Sequence, residues 1–96
     1  MTIFSFKITI MDLQQQFEAA VAASKTLAEK PDNDTLLQLY SLYKQASEGD
    51  VNTEPPANLF DIVGKAKYDA WVGQKGKTKE KAAEEYIQLV DKLKNS

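Results

Sequence analysis

From Asp12 onward, the residues that break helices fall at the boundaries between stretches of 3.6-residue periodicity, and this confines the chain to a small all-α fold. Pro31, Gly49, the Pro55-Pro56 pair and Gly76 divide it, while Gly64 and Gly73 lie close to segment ends. Asp12 is placed to cap a first helix, with Gln15 three residues on, and Leu13, Phe17, Ala20, Val21, Leu27 and Ala28 mark one face that runs up to Pro31. Asp32, Asn33 and Asp34 offer caps for a second helix carrying Leu36, Leu39, Tyr40, Leu42, Tyr43 and Ala46, which stops at Gly49. After an irregular stretch from Asp50 to about Leu59, a third helix is expected from Asp61 or Gly64 to Gln74, closing at Gly76. Thr78 caps a fourth, in which Ala82, Ala83, Tyr86, Ile87, Val90 and Leu93 keep the period. Four helices with mostly short connections predict a four-helix up-down bundle.

The opening residues follow another rule. Phe4, Phe6, Ile8 and Ile10 alternate with Ile3, Ser5, Lys7 and Thr9, a period of two that suits a strand. A single strand needs a partner. Residues 1–11 are therefore read as an N-terminal extension outside the main activity, and residues 12–96 as the functional domain. The expected state is mostly monomeric, with strand pairing through residues 2–10 as a route to self-association.

Composition narrows the chemistry. The 96 residues suffice for one core and include neither cysteine nor histidine, so thiolate nucleophiles, disulfides, the common zinc sites and a Ser-His-Asp triad are excluded. No GxxxxGK[ST] loop is present, so any phosphate must be held by side chains and helix ends. All twelve basic residues are lysine, and the net charge is −2. Both points argue against nucleic acid as a partner, which favours arginine forks and a net basic surface. No run reaches the roughly 18 apolar residues needed to span a bilayer. No signal peptide is evident at the start either, and a cytoplasmic protein without stable membrane insertion is the expectation.

Two segments carry the functional signal. In Tyr40-Ser41-Leu42-Tyr43-Lys44-Gln45, helical spacing gathers Tyr40, Tyr43 and Lys44 into one patch, and Gly64-Lys65-Ala66-Lys67-Tyr68-Asp69-Ala70-Trp71 supplies further cations and aromatics. Aromatic faces beside lysines suit a ligand that joins a flat ring to phosphates, as an adenine nucleotide does. Taken singly, the tyrosines read more readily as core residues with hydroxyls at the surface than as ligand contacts, and Lys44, Lys65 and Lys67 as solvated charges. Lys75, Lys77, Lys79 and Lys81 read mostly as a charged surface.

From Phe17 to the C-terminus the chain resembles the acyl-CoA-binding protein family. The segments that carry the resemblance are Leu39-Tyr40-Ser41-Leu42-Tyr43-Lys44-Gln45-Ala46, Gly49-Asp50-Val51-Asn52-Thr53-Glu54 and Gly64 to Trp71, with Tyr86 at the family's spacing. The resemblance implies a bowl-shaped bundle that binds medium- to long-chain acyl-CoA esters without altering them, as an intracellular carrier or buffer that needs no cofactor and no metal. It implies that Tyr40, Lys44, Lys67 and Tyr86 hold the nucleotide and that Lys25 reaches its phosphate-bearing part. Phe17, Ala20, Leu37 and Tyr43 correspond to positions lining the pantetheine and acyl groove. Three departures stand out. Val63 occupies a position where the family commonly has lysine, the stretch from Pro55 to Val63 carries one residue more than usual, and Tyr68 replaces what is often tryptophan, an aromatic face of larger area.

Two other classes remain for comparison. A thioester hydrolase would need an activated water, and the adjacent Glu84 and Glu85 point in different directions on a helix and are read as solvated. A bundle that grips a partner helix would share an apolar groove but has no use for the lysine–tyrosine set.

Overall fold

The computed structural model describes residues 12–95, and the strand-like reading of the opening segment lies outside them. The described residues form four helices: α1 (Leu13–Ser24), α2 (Asn33–Glu48), α3 (Ile62–Val72) and α4 (Lys79–Lys94). Each begins at a side-chain cap. Asp12 accepts from the Gln14 N–H at 3.2 Å, Asp32 from Thr35 at 2.8 Å, Asp61 from Gly64 at 2.9 Å and Thr78 from Lys81 at 3.0 Å. Each such cap satisfies an otherwise orphaned N–H and is worth about 1 kcal/mol.

α1 stops seven residues short of Pro31, earlier than its apolar pattern predicts. Its end is set by hydroxyls. Ser24 Oγ donates to the Val21 carbonyl at 2.7 Å and Thr26 Oγ1 to that of Ala23 at 3.1 Å, while the Lys25 and Thr26 N–H groups tighten onto carbonyls three residues back. These bonds use up the carbonyls that a continuing α-helix would need. Leu27 and Ala28 therefore sit in a connection rather than on a helix.

The core follows from the stripe of α4. Ala82, Tyr86 and Val90 recur every four residues, and with Ala83 they are buried against Phe17 and Ala20 of α1 and Leu39 and Leu42 of α2. α4 is thus the shared partner of α1 and α2, and α3 packs on α2. Burying a side chain such as Leu42 or Val90 contributes about 1.5–3 kcal/mol each. The alanines let the backbones approach where bulk would push them apart.

A polar brace closes the opposite end. Buried Gln45 donates through Nε2 to Asp50 Oδ1 at 2.8 Å and to the Lys77 carbonyl at 2.7 Å, and Gly76 N–H donates to the same Asp50 oxygen at 2.8 Å. Gln74 Nε2 donates to buried Ser41 at 3.0 Å. Gly49 ends α2 at φ 81° and ψ −152°, a region open essentially to glycine, and its carbonyl accepts the Trp71 indole N–H at 2.9 Å. The α2 C-terminus, the α3–α4 connection and Trp71 are thereby locked together. Glu85, expected to be solvated, is half-buried and paired with Lys77, whereas Glu84 is exposed.

Asp50 reports this brace in solution. Hydrogen bonds from the Gly76 N–H first, and then from Gln45, hold its carboxyl below the usual 3.8. A depressed carboxyl stabilises the fold above its ordinary value, and that contribution disappears as pH falls through the lowered one. Asp50→Asn should therefore lower the thermal midpoint at pH 7, and its deficit should shrink below pH 3.8. A deficit that stays constant across an acid titration followed by circular dichroism would contradict this role.

Candidate functional site

The second turn of α2 supplies the centre of the site. Tyr40, Tyr43 and Lys44 stand on adjoining positions of a helix that is anchored on its other side by Leu39, Leu42 and Gln45. Lys67 of α3 reaches across so that its ammonium lies 5.3 Å from the centre of the Tyr40 ring. The Lys44 ammonium lies 4.8 Å from the centre of the Trp71 ring. Two cations from different helices thus stand over two aromatic faces, an arrangement in which each ring quadrupole favours the charge by roughly 0.5–1 kcal/mol at exposed positions.

These residues border a cleft of about 240 Å³ lined by Tyr40, Lys44, Thr53, Glu54, Pro56, Gly64, Tyr68 and Trp71. One wall is fixed by the Tyr68 hydroxyl, which donates to the Thr53 carbonyl at 2.9 Å and ties the irregular stretch to α3. Gly64 leaves room on this wall for the capping carboxylate. A Cβ there would lie 2.2 Å from the Asp61 carboxylate, which would have to shift against its bond to the Gly64 N–H.

Lys44 also meets a carboxylate of its own helix. Glu48, four residues on, forms an ion pair with it, and this hydrogen bond is the main reason the Lys44 ammonium is held above the usual 10.5 and the Glu48 carboxyl below 4.5. The pair is present in full between these values: it weakens as Glu48 protonates in acid and as Lys44 deprotonates in strong base. Lys44 is therefore a permanent cation at neutral pH, oriented by Glu48 toward the cleft wall.

A second cluster lies one helix face away. The Phe17 and Tyr43 rings stack with centres 5.9 Å apart, Phe17 meets Tyr86 edge-on at 5.1 Å, and Tyr43 and Tyr86 are 6.5 Å apart. Tyr86 is buried, and its hydroxyl donates to Ser24 Oγ at 3.1 Å. Ala20 is buried in the core beside Phe17 and Tyr86. Lys25 is exposed at the C-terminal end of α1, next to the serine that receives the Tyr86 hydroxyl. Leu37 is half-buried on α2, one turn before Tyr40.

The expected residues therefore fall into two neighbouring groups. Tyr40 and Lys44 line the cleft with Lys67 beside them over the Tyr40 ring, whereas Phe17, Tyr43 and Tyr86 form the aromatic cluster, with Ala20 beneath it. Tyr43, next to Lys44 in sequence, joins the two. Sequence reasoning missed Trp71 as the surface under Lys44, Glu48 as its counter-ion, Thr53 as the anchor of Tyr68 and Ser24 as the partner of Tyr86. Only Glu48 carried a signal, since a Lys–Glu pair four apart on a helix is legible in the chain itself.

Comparison with known proteins converges on one family. Residues 14–90 match the family model described as acyl CoA binding protein. The chain is 49% identical over 81 residues to the acyl-CoA-binding protein homolog of Drosophila melanogaster, covering 84% of this chain and 93% of that one. It is 47% identical over 77 residues to acyl-CoA-binding protein homolog 1 of Caenorhabditis elegans, covering 80% and 88%. The crystal structure of Oryza sativa acyl-CoA-binding protein 2 superposes with a TM-score of 0.80 at 41% identity, covering 85% of this chain and 90% of that one. With the fold, the motif segments and these matches in agreement, this chain belongs to the acyl-CoA-binding protein family.

Proposed function

We propose that the protein binds acyl-CoA esters of medium to long chain length and carries or buffers them without chemical change. In this reading the nucleotide is held by Tyr40, Lys44 and Lys67 around the cleft and by Tyr86 from the neighbouring aromatic cluster, with the lysines on its phosphates and Lys25 reaching the phosphate-bearing part from the end of α1. Phe17, Ala20, Leu37 and Tyr43 border the path of the pantetheine and acyl chain. The domain that does this spans residues 12–96. The observation that carries the reading is a cleft lined by Tyr40, Lys44 and Trp71, with Lys44 over the Trp71 ring and Lys67 over the Tyr40 ring.

An anionic head group strengthens every element of that arrangement. A phosphate oxygen accepting from a lysine ammonium makes a charge-assisted hydrogen bond worth about 1.5–3 kcal/mol net. Replacing Lys44 or Lys67 with alanine should therefore weaken binding of a long-chain acyl-CoA by about 10- to 100-fold with little change in thermal midpoint. Glu48→Gln should act in the opposite direction, because a phosphate arriving at Lys44 no longer competes with a carboxylate. Titration calorimetry of the three variants tests the assignment. Unchanged affinity in both lysine variants would remove these residues from the site.

No step of catalysis is assigned to these side chains. Of the carboxylates around the cleft, Glu48 holds Lys44 and Asp61 caps α3, while Glu54 lines the wall with no histidine or cysteine beside it to act as a partner in catalysis. Incubation of palmitoyl-CoA with the protein should return the thioester intact.

A further inference from the structure

The connection into α3 presents an apolar face that neither the core nor the cleft uses. Leu59 and Phe60 are each 90% exposed, Ile62 77% and Val63 65%. Four bulky apolar side chains within five residues form a contiguous patch of the kind that marks an interaction surface. The patch is held in an ordered turn. Asn58 Oδ1 accepts the Phe60 N–H at 2.9 Å, the Asp61 N–H reaches the Asn58 carbonyl at 3.1 Å, and the Ile62 N–H reaches the Phe60 carbonyl at 2.9 Å.

The charges around it are selective. Lys65 follows Ile62 by three residues and Lys67 follows Val63 by four, so at helical spacing a lysine stands one turn beyond each exposed β-branched side chain. Both lysines are exposed, and Lys65 has no ion-pair partner among the described residues. Asp61, the carboxylate inside the run, is bound to the Gly64 N–H at the positive end of α3. Asp69 follows Lys65 by four residues, one turn along the helix, and Glu54 lies in the preceding loop.

Apolar tips backed by lysines fit the interface of a bilayer, where side chains enter the acyl boundary and ammonium groups meet anionic headgroups. A second copy fits less well, because a two-fold contact would bring the same lysines together while Asp61 is already engaged. We propose that residues 59–63, with Lys65 and Lys67, dock the protein reversibly on an anionic phospholipid surface. Pro56 and Gly64, which bracket the patch, line the cleft, so docking sets the cleft mouth against the bilayer.

Vesicle flotation without any acyl-CoA tests this separately from the ligand reading. The full chain should bind vesicles of phosphatidylcholine with 30% phosphatidylserine about fivefold more than phosphatidylcholine alone, a gain that Lys65→Ala and high salt remove. The Leu59→Ser/Phe60→Ser double variant should lose about tenfold or more in vesicle binding, yet bind octanoyl-CoA in vesicle-free solution as the parent does. Its substitutions touch side chains already in water, so its fold should be intact by circular dichroism. The proposal is overturned if the parent ignores both vesicles or the double variant floats equally well. It is also overturned if sedimentation finds a parent dimer that the double variant separates, since the patch would then be a self-contact. A loss of octanoyl-CoA affinity in the double variant would make the patch a cover for the ligand and overturn it too. Failure of the parent to bind octanoyl-CoA would instead sink the ligand reading and leave the vesicle result standing.

Discussion

Palmitoyl-CoA is expected to bind at least about a thousandfold more tightly than free CoA, and free palmitate hardly at all. Each methylene removed from water contributes about 0.8 kcal/mol, so eight sheltered methylenes supply roughly 6 kcal/mol before the cost of ordering the chain. The head group works in a different way. Lys44 is half-buried and Lys67 exposed, so in the proposed site their contacts with phosphate should be screened by salt and should serve to select and orient the ligand. Affinity should climb steadily from butyryl- to palmitoyl-CoA, with high salt lowering every member of the series by a similar factor. Calorimetry across the series at two salt concentrations measures both slopes. Equal affinities for CoA and its palmitoyl ester would refute this division between head and tail.

Trp71→Ala is expected to be the most damaging single substitution outside the α1–α2–α4 core. Trp71 is buried to 3% exposure, and its indole N–H is bonded to the Gly49 carbonyl at 2.9 Å. Truncating a buried aromatic costs about 3–5 kcal/mol. For a domain of this size that is a fall of more than about 10 °C in thermal midpoint, against a total stability on the order of 5–15 kcal/mol. The same change removes the surface under Lys44 and frees the end of α2, so ligand affinity should fall even at temperatures where the variant remains folded. Trp71→Phe keeps a ring and loses the hydrogen bond, and should cost about 1 kcal/mol or somewhat more. A drop of only a few degrees for the alanine variant would mean that Trp71 does not brace α3 against α2.

The two predictions concern different parts of one motif. Tyr40, Lys44 and Lys67 of the recognisable segments stand at the cleft, but Gln45, Gly49, Asp50 and Trp71 of those same segments are occupied in holding the helices together. Half of the signature is therefore scaffold. It keeps Lys44, at the penultimate turn of α2, facing Trp71 of α3 across a junction built on Gly49.

The number, order and starting points of the helices were legible without coordinates. Asp32, Asp61 and Thr78 cap where the pattern of polar residues says they should, and Gly49 ends α2 at a positive φ of 81°; α3 closes at Val72, sooner than expected, and Gly76 takes its φ of 94° in the turn that follows. Capping and periodicity are local, settled by residues three or four apart. The end of α1 escaped this reading because the apolar repeat continues through Leu27 and Ala28, while the hydroxyls of Ser24 and Thr26 draw the carbonyls away.

What the chain alone determined, then, is a set of amphipathic helices carrying a lysine–tyrosine signature. That Lys44 rests on Trp71, Tyr68 on Thr53, Tyr86 on Ser24 and Gln45 on the Lys77 carbonyl was decided only when the helices packed. Those partners lie 15 to 62 residues apart along the chain. No periodicity reaches that far, and burial of the α4 stripe against α1 and α2 is what brings such distant groups into contact.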